Sequence, residues 1–454
     1  MNSIFSLHKG HKYPWWWIVG VLLIGTGLYF LIRDIPKWNV LWYVFAWYGY
    51  LLIVDVVIFV RQGHSFLSHR SRELLEMMAW SVPFWFLFEA YNFALQNWYY
   101  VFALHSDFYQ GVFAWLAFAT VLPACFFHAE LLKSLGVFRD TKVNPIRVEN
   151  GLQQFFLYFG ALCIVLPLIF PKYAFWMVWG ATLGVPDYIN YTHGAPSILG
   201  DLKKGQPGRL SRLLVGGMIA GLVWEGLNYW ARCKWIYTVP GLEALKIFEM
   251  PVVGFLGFPV LAVEAFAFYS LVSYYLRSGR TWEISDHTQQ TKSLRKWYWP
   301  LLVIGMAASL MVYSHLLDTT LQSRRPVFAD YPGLDASVID RLHTTSMATP
   351  ERFYRQAVEL GTEQVAQILN IPEPEVRALT DFTSLVLHKG MGIPDARIVK
   401  TAGIQHVTGF IGQSADQLYP SLEQVANTAG LPVPGRAEVK VWIRAAELAQ
   451  GLKR

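Results

Sequence analysis

Phe88-Glu89-Ala90-Tyr91-Asn92 with Trp98-Tyr99-Tyr100 downstream, and Trp224-Glu225-Gly226-Leu227-Asn228 with Trp235-Ile236-Tyr237 downstream, are the two passages on which the fold turns. The Glu and Asn recur at an offset of 136 and the Trp-x-Tyr at 137. Working outward, Pro123 matches Pro259 at 136. Asp55 with Ser65-Phe66-Leu67 matches Asp187 with Ser197-Ile198-Leu199 at 132. Constant order and near-constant offset identify an internal duplication, which changes what any single residue in either copy means.

Of the 454 residues, 54% are hydrophobic and only 15% charged, so the chain falls outside the soluble class, where charged residues run near ~25%. Disorder, collagen-like repeats and coiled coil are excluded. Cys125, Cys163 and Cys233 lie within or beside apolar runs and act as small hydrophobes rather than as a disulfide framework.

Apolar runs of roughly 20 residues are long enough to cross a bilayer as helices. Nine are found, near 14–32, 40–60, 76–97, 110–131, 152–171, 173–191, 211–231, 248–276 and 297–316. Pro186 and Asp187 interrupt the sixth. The first is long, rich in Trp and without a small-residue cleavage site, so it reads as a retained span. The expected fold is therefore all-α, a polytopic helical bundle over residues 1–316 with a small soluble helical tail over 320–454. Within the bundle, repeat one covers about 14–132, repeat two 151–276 and the ninth span 297–316, a four-plus-four-plus-one plan. Four crossings per unit keep both copies in one orientation, so equivalent residues face each other across an axis along the membrane normal.

Basic residues cluster in alternate connections: Arg61, Arg70 and Arg72; Lys133, Arg139, Lys142 and Arg147; Lys203, Lys204, Arg209 and Arg212; Arg277, Arg280, Lys292, Arg295 and Lys296. The connection 98–109 has neither Lys nor Arg. The positive-inside rule then places the N-terminus in the cytoplasm of a bacterial-type inner membrane and the tail on the outer side. The tail carries nearly equal numbers of acidic and basic residues, so the net +6 arises in the membrane part and signals topology rather than nucleic acid.

Carboxyls inside spans are costly and normally face a protein-lined cavity or one another. Glu89 and Asn92, like Glu225 and Asn228, stand three apart and share a helix face. In an apolar pocket a carboxyl favours its neutral form and holds a proton, which the nearby amide orients. Trp85, Tyr91, Trp98, Trp224, Tyr229, Trp230 and Trp235 supply aromatic faces that stabilise a carbocation. The plain structural alternative is an interhelical network in which each Glu is bonded to its Asn. Glu130 lies beside Lys133 at an inner helix end and reads as a solvated carboxylate. His128 with Glu130, or Asp187 with His193, forms no dense ligand set, and no metal or cofactor is expected.

An aromatic-acid pair, a later Trp-x-Tyr and a Pro followed by an acidic-aromatic segment resemble the duplicated, membrane-embedded carotenoid (lycopene) cyclases. The stretch from Trp224-Glu225 through Trp235-Ile236-Tyr237 to Gly257-Phe258-Pro259-Val260-Leu261-Ala262-Val263-Glu264-Ala265-Phe266 carries the likeness. Trp-Glu on a spanning helix is similar to membrane-bound terpene cyclases as well. Where those carotenoid cyclases carry Pro-Leu-Glu-Glu, this chain has Glu264 five residues after Pro259. The resemblance implies a non-redox, isomerase-type cyclase of an apolar isoprenoid drawn from the bilayer, with Glu225 as acid, Glu89 as base or charge stabiliser, Asn92 and Asn228 orienting them, and Glu264 in reserve. The alternative is a transporter or assembly factor whose tail docks a protein partner.

In the tail, Leu387-His388-Lys389-Gly390-Met391-Gly392-Ile393-Pro394-Asp395-Ala396-Arg397 resembles the turn and second-helix start of a helix-hairpin-helix. Balanced charge and the outer location argue for protein docking and against nucleic acid.

Overall fold

The computed structural model describes residues 13–35, 38–239, 245–283 and 294–451. Lys292 and the first twelve residues lie outside them. The chain is mostly helical, as its composition requires. The first helices are α1 (Trp16–Ile32), α2 (Trp42–Gln62), a four-residue α3 (Phe66–His69) and α4 (Ser71–Leu95). After strand β1 (Trp98–Val101) come α5 (Asp107–Phe118), α6 (Val121–Ser134) and α7 (Asn150–Ile169). The sixth apolar run is not one continuous helix but a broken path: α8 (Pro171–Ala174), a 3-10 stretch Phe175–Gly180 and α9 (Gly184–Thr192). Then follow α10 (Ile198–Lys203), α11 (Gly208–Trp230), β2 (Lys234–Tyr237), the two-residue strands β3 (Lys246–Ile247) and β4 (Met250–Pro251), α12 (Gly257–Leu276) and α13 (Tyr298–Thr319).

Among the described residues, six helical segments are long and apolar enough to cross a membrane: Asn39–Gln62, Asp107–Ser134, Asn150–Ile169, Gly208–Trp230, Val252–Leu276 and Tyr298–Thr319. The first run is a shorter apolar helix, Trp16–Ile32. The third belongs to a 25-residue helix that carries Glu73, Glu76 and Glu89.

The duplication is visible in the local geometry. Asp55 Oδ2 accepts from Ser65 Oγ at 2.7 Å and its Oδ1 from the Leu67 N–H at 3.3 Å, holding the start of α3. Asp187 accepts from the N–H groups of Ile198 and Leu199 at 2.7 and 3.0 Å, holding the start of α10. These carboxylates satisfy amides that an isolated helix start leaves bare. The strands β1 and β2 pair antiparallel, Trp98 opposite Tyr237, Tyr99 opposite Ile236 and Tyr100 opposite Trp235. Since Tyr99 and Ile236 are themselves equivalent, the local two-fold relating the copies passes through that pair.

Small residues set the closest helix approach. A Cβ on Gly221 would lie 2.2 Å from the Phe258 ring and one on Gly217 2.5 Å from the Phe258 carbonyl, so α11 and α12 touch through bare backbone. At one end of the bundle the connections gather: Arg209 bonds Asp201 and Glu283 at 3.0 and 3.2 Å, and the Val143 N–H donates to the Gly205 carbonyl at 3.1 Å. Several of the basic residues read as topology signals are instead buried ion-pair partners. Arg70, Arg277 and Arg280 are nearly or fully buried and bonded to Glu73 and Glu76, joining α4 of the first half to the end of α12 in the second.

At the opposite end lie the loop after α1, the β1–β2 ribbon and the tail. The tail is built from α14 (Ala336–Thr344), α15 (Pro350–Leu360), α16 (Thr362–Leu369), α17 (Glu373–Leu387), α18 (Gly392–Thr401), α19 (Ala415–Ala429) and α20 (Arg436–Gly451). Its apolar residues, from Phe328 to Ala446, form a core distinct from that of the bundle.

Candidate functional site

Each copy of the Glu-Asn helix ends where its strand begins, and the Asn fixes the junction. Asn92 Oδ1 accepts from the N–H groups of Asn97 and Trp98 at 2.9 and 3.3 Å, and its Nδ2 donates to the Trp98 carbonyl at 2.8 Å. Asn228 does the same for Trp235, accepting at 3.1 Å and donating at 3.0 Å. The amides therefore do not orient the glutamates, as the sequence suggested. They pin a strand whose alternate side chains point one way, and the first and third of these, Trp and Tyr, turn back onto the Glu.

Glu89 and Glu225 are fully buried. Glu89 receives three hydrogen bonds: Trp85 Nε1 at 2.9 Å and Tyr100 OH at 2.5 Å on Oε1, and Trp98 Nε1 at 3.3 Å on Oε2. Glu225 receives two, both on Oε1: Tyr237 OH at 2.9 Å and Trp235 Nε1 at 3.3 Å. Among the described residues nothing donates to Glu225 Oε2. Trp235 shares Oε1 with Tyr237, where Trp98 takes Oε2 of Glu89, and the second half has no counterpart of the Trp85 donor. At an offset of 136 from Trp85 stands Gly221, whose lack of side chain is required by Phe258.

Between the halves lies a cavity of about 110 Å3, walled by Trp85 and Trp98 of the first copy, Trp224 and Trp235 of the second, and the rings of Tyr100 and Tyr237. Its rings meet at close range: Trp85 to Trp224 at 5.5 Å, Trp224 to Trp235 at 6.0 Å, Tyr43 to Trp235 at 5.3 Å. Hydrocarbon-lined cavities near ~150 Å3 take up a benzene-sized guest, so this chamber has room for about one ring. Glu89 and Glu225 do not line it. They stand one layer behind, and the hydroxyls of Tyr100 and Tyr237 connect them to it.

Four of the seven expected aromatic residues thus wall the chamber, and three do not. Tyr91 points the other way and donates to the Ile164 carbonyl at 2.8 Å. Tyr229 and Trp230 are 40% and 63% exposed on α11, because the buried face of the helix runs through Gly217, Gly221, Trp224 and Asn228 with Glu225 at its edge, and both rings lie beyond that edge. Tyr43, Tyr100, Trp179 and Tyr237 line the chamber and were absent from the expected set. The Trp-x-Tyr recurrence already contained Tyr100 and Tyr237; their role needed the strand to be recognised.

Glu264 is fully buried away from the chamber, its Oε1 accepting from the Thr182 N–H at 3.0 Å. Its counterpart at an offset of 136 is His128, and that of Thr182 at 132 is Tyr50. Tyr50 OH and His128 Nε2 are hydrogen-bonded at 2.7 Å, so one packing position carries Tyr·His in the first half and Thr·Glu in the second. Glu130 is 1% exposed rather than solvated, bonded to Gln62 at 3.1 Å with Lys133 at 3.5 Å. Among the described residues no three His, Cys, Asp or Glu side chains gather in a metal-binding group.

The ribbon's outer neighbourhood is ionic. Glu249, between β3 and β4, accepts from Lys234 at 2.7 Å and from Lys389 of the tail at 3.0 and 3.2 Å. Burial works to raise its carboxyl, but the two ammonium groups outweigh it and hold Glu249 below the usual carboxylate range. No curated protein and no solved structure matches this chain. Residues 333–448, the helices of the tail, match a family described as "Domain of unknown function (DUF4332)".

Proposed function

We propose that the chain is a nine-span inner-membrane enzyme whose chamber takes the end of an apolar isoprenoid and closes it into a ring by adding and losing a proton. The membrane part would run over 1–316, with α1, α4 and the broken sixth run completing the six long apolar helices. The basic end then faces the cytoplasm, with the ribbon and tail outside. Glu225 Oε2, to which none of the described residues donates, beside an aromatic chamber sized for one ring, carries this reading. Glu89, satisfied by three donors, is suited to remain a carboxylate; Glu225, with one bare oxygen, is suited to carry the proton there. Proton addition to a terminal alkene leaves a cation, which Trp85, Trp98, Trp224 and Trp235 stabilise through their π faces. A second double bond closes the ring, and loss of a proton restores charge balance, so no redox cofactor enters. Tyr237 is the hydroxyl between Glu225 and the guest, and Tyr100 its counterpart for Glu89.

The alternative of a transporter or assembly factor lacks a comparable observation, since the chamber is walled by aromatic rings. Expression of the chain in a polyene-producing host, followed by product analysis, tests the reading. A cyclised product that is lost in Glu225→Gln is expected. Unchanged lipid extracts with well-expressed wild-type protein overturn it, and a polyene that co-purifies unconverted identifies a carrier instead.

A further inference from the structure

We infer that the tail is a clamp on the chamber: its Lys389-Gly390 turn, seated on the back of the β1–β2 ribbon, holds the ribbon's aromatic face closed over the cavity. The inference does not depend on which reaction the chamber performs. The ribbon is a plate with two faces. Trp98, Tyr100, Trp235 and Tyr237 line the chamber, while Tyr99, Val101 and Ile236, which alternate with them, form a buried cluster with Val441 of α20. Two four-residue strands are marginal without support, and this support comes from the tail.

Three contacts make the seat specific. Gly390 lies so close to Val101 that a Cβ would sit 2.3 Å from the valine Cβ, and its φ of +75° is one that side chains disfavour. The segment after α13 adds alongside β1: the Tyr100 N–H donates to the Thr320 carbonyl at 2.8 Å, and the Gln322 N–H to the Tyr100 carbonyl at 2.9 Å. Ser323, within that segment, donates from Oγ to the Gly390 carbonyl at 2.5 Å. Finally, Glu249 bridges Lys389 of the turn to Lys234, which itself borders the chamber. A second attachment lies on the loop after α1, where Thr349 donates to Asp34 at 2.9 Å. The turn that resembles a helix-hairpin-helix is therefore occupied by this chain's own ribbon.

Cys233 borders the chamber and reports whether it is open. In full-length protein carrying Cys125→Ala and Cys163→Ala, the rate of labelling by a small maleimide is measured in the parent and in added Gly390→Val, Lys389→Ala and Arg377→Ala variants. Arg377 pairs with Glu373 on the exposed surface of the tail and serves as control. About tenfold faster labelling is expected for Gly390→Val and a smaller rise for Lys389→Ala, with Arg377→Ala unchanged. Should Gly390→Val fail to fold, Lys389→Ala decides. Parental rates in the folded clamp variants, or an equal rise in Arg377→Ala, overturn the clamp.

Discussion

The two halves of the bundle share a scaffold and differ in what they leave unsatisfied. Both hold a Glu behind a Trp-x-Tyr strand, both pin that strand with an Asn, and both cap a short helix with an Asp. Yet the first half closes both oxygens of its Glu with donors, and among the described residues nothing donates to one oxygen of the second. Two changes make the difference: Trp98 and Tyr100 divide between the two oxygens of Glu89 whereas Trp235 and Tyr237 share one oxygen of Glu225, and the further donor Trp85 stands opposite Gly221, a glycine dictated by the approach of α12. The second copy thus holds a buried carboxylate oxygen to which no described residue donates, while the first keeps the fully bonded form. A duplicated membrane protein can diverge in function without altering the hydrogen-bond frame that both copies need.

The sharpest way to break this comparison is to exchange each Glu for Gln. Glu225→Gln can place its amide nitrogen at the bare Oε2 position, where no donor opposes it, so the fold should persist with a thermal midpoint near wild type. Conversion of an isoprenoid, on the proposed reading, falls by about a hundredfold or more, as for loss of a general acid. Glu89→Gln has no such free position: whichever oxygen becomes NH2 meets Trp98, or Trp85 and Tyr100. A buried donor left facing a donor costs ~1–3 kcal/mol, so Glu89→Gln should unfold earlier in detergent. Equal losses of stability in the two variants would mean that the halves are not chemically distinct.

The asparagines offer a smaller contrast. Asn92 takes two backbone N–H groups and gives one hydrogen bond; Asn228 takes one and gives one. Replacing either with Ala leaves buried backbone groups unpaired, and Asn92→Ala should cost about 1 kcal/mol more than Asn228→Ala, the worth of one further bond. Denaturant or thermal unfolding of the two variants side by side measures it, and a larger loss for Asn228→Ala refutes the assignment.

Much of this was legible in the sequence because the duplication is written in spacing. The recurrence of Glu, Asn, Trp-x-Tyr and Asp-Ser marked both glutamates and the two Trp-x-Tyr segments, whose Trp98 and Trp235 stand in the chamber wall. What spacing could not give was direction. Tyr229 and Trp230 are close neighbours of Asn228 in the chain, yet the helix sends them outward. The Asn carboxamides fell within reach of two partners, Glu or strand backbone, and only three-dimensional closure selects the backbone. Glu264 has no carboxylate counterpart in the first half, since the offset of 136 leads to His128; the repeat preserves a packing position there while its chemistry changes. The basic loops, too, hid buried pairs, because a charge count does not distinguish Arg277 sealed against Glu73 from a lysine in water.

The helix-capping aspartates are where the halves should agree. Asp55 accepts from Ser65 Oγ and the Leu67 N–H, and Asp187 from the N–H groups of Ile198 and Leu199, two hydrogen bonds in each case, and both carboxylates are fully buried. Asp55 ties the long α2 to the short α3, and Asp187 ties the nine-residue α9 to the short α10, so Asp55→Ala and Asp187→Ala should each remove ~1–2 kcal/mol. The two losses should lie within about 0.5 kcal/mol of each other, since the bonds lost are equal in number. Because α2 is continuous whereas α9 follows a broken path, an excess loss for Asp187→Ala would place the burden of holding that path on the carboxylate. Equality would place it on the packing of α9 against α7 and α12.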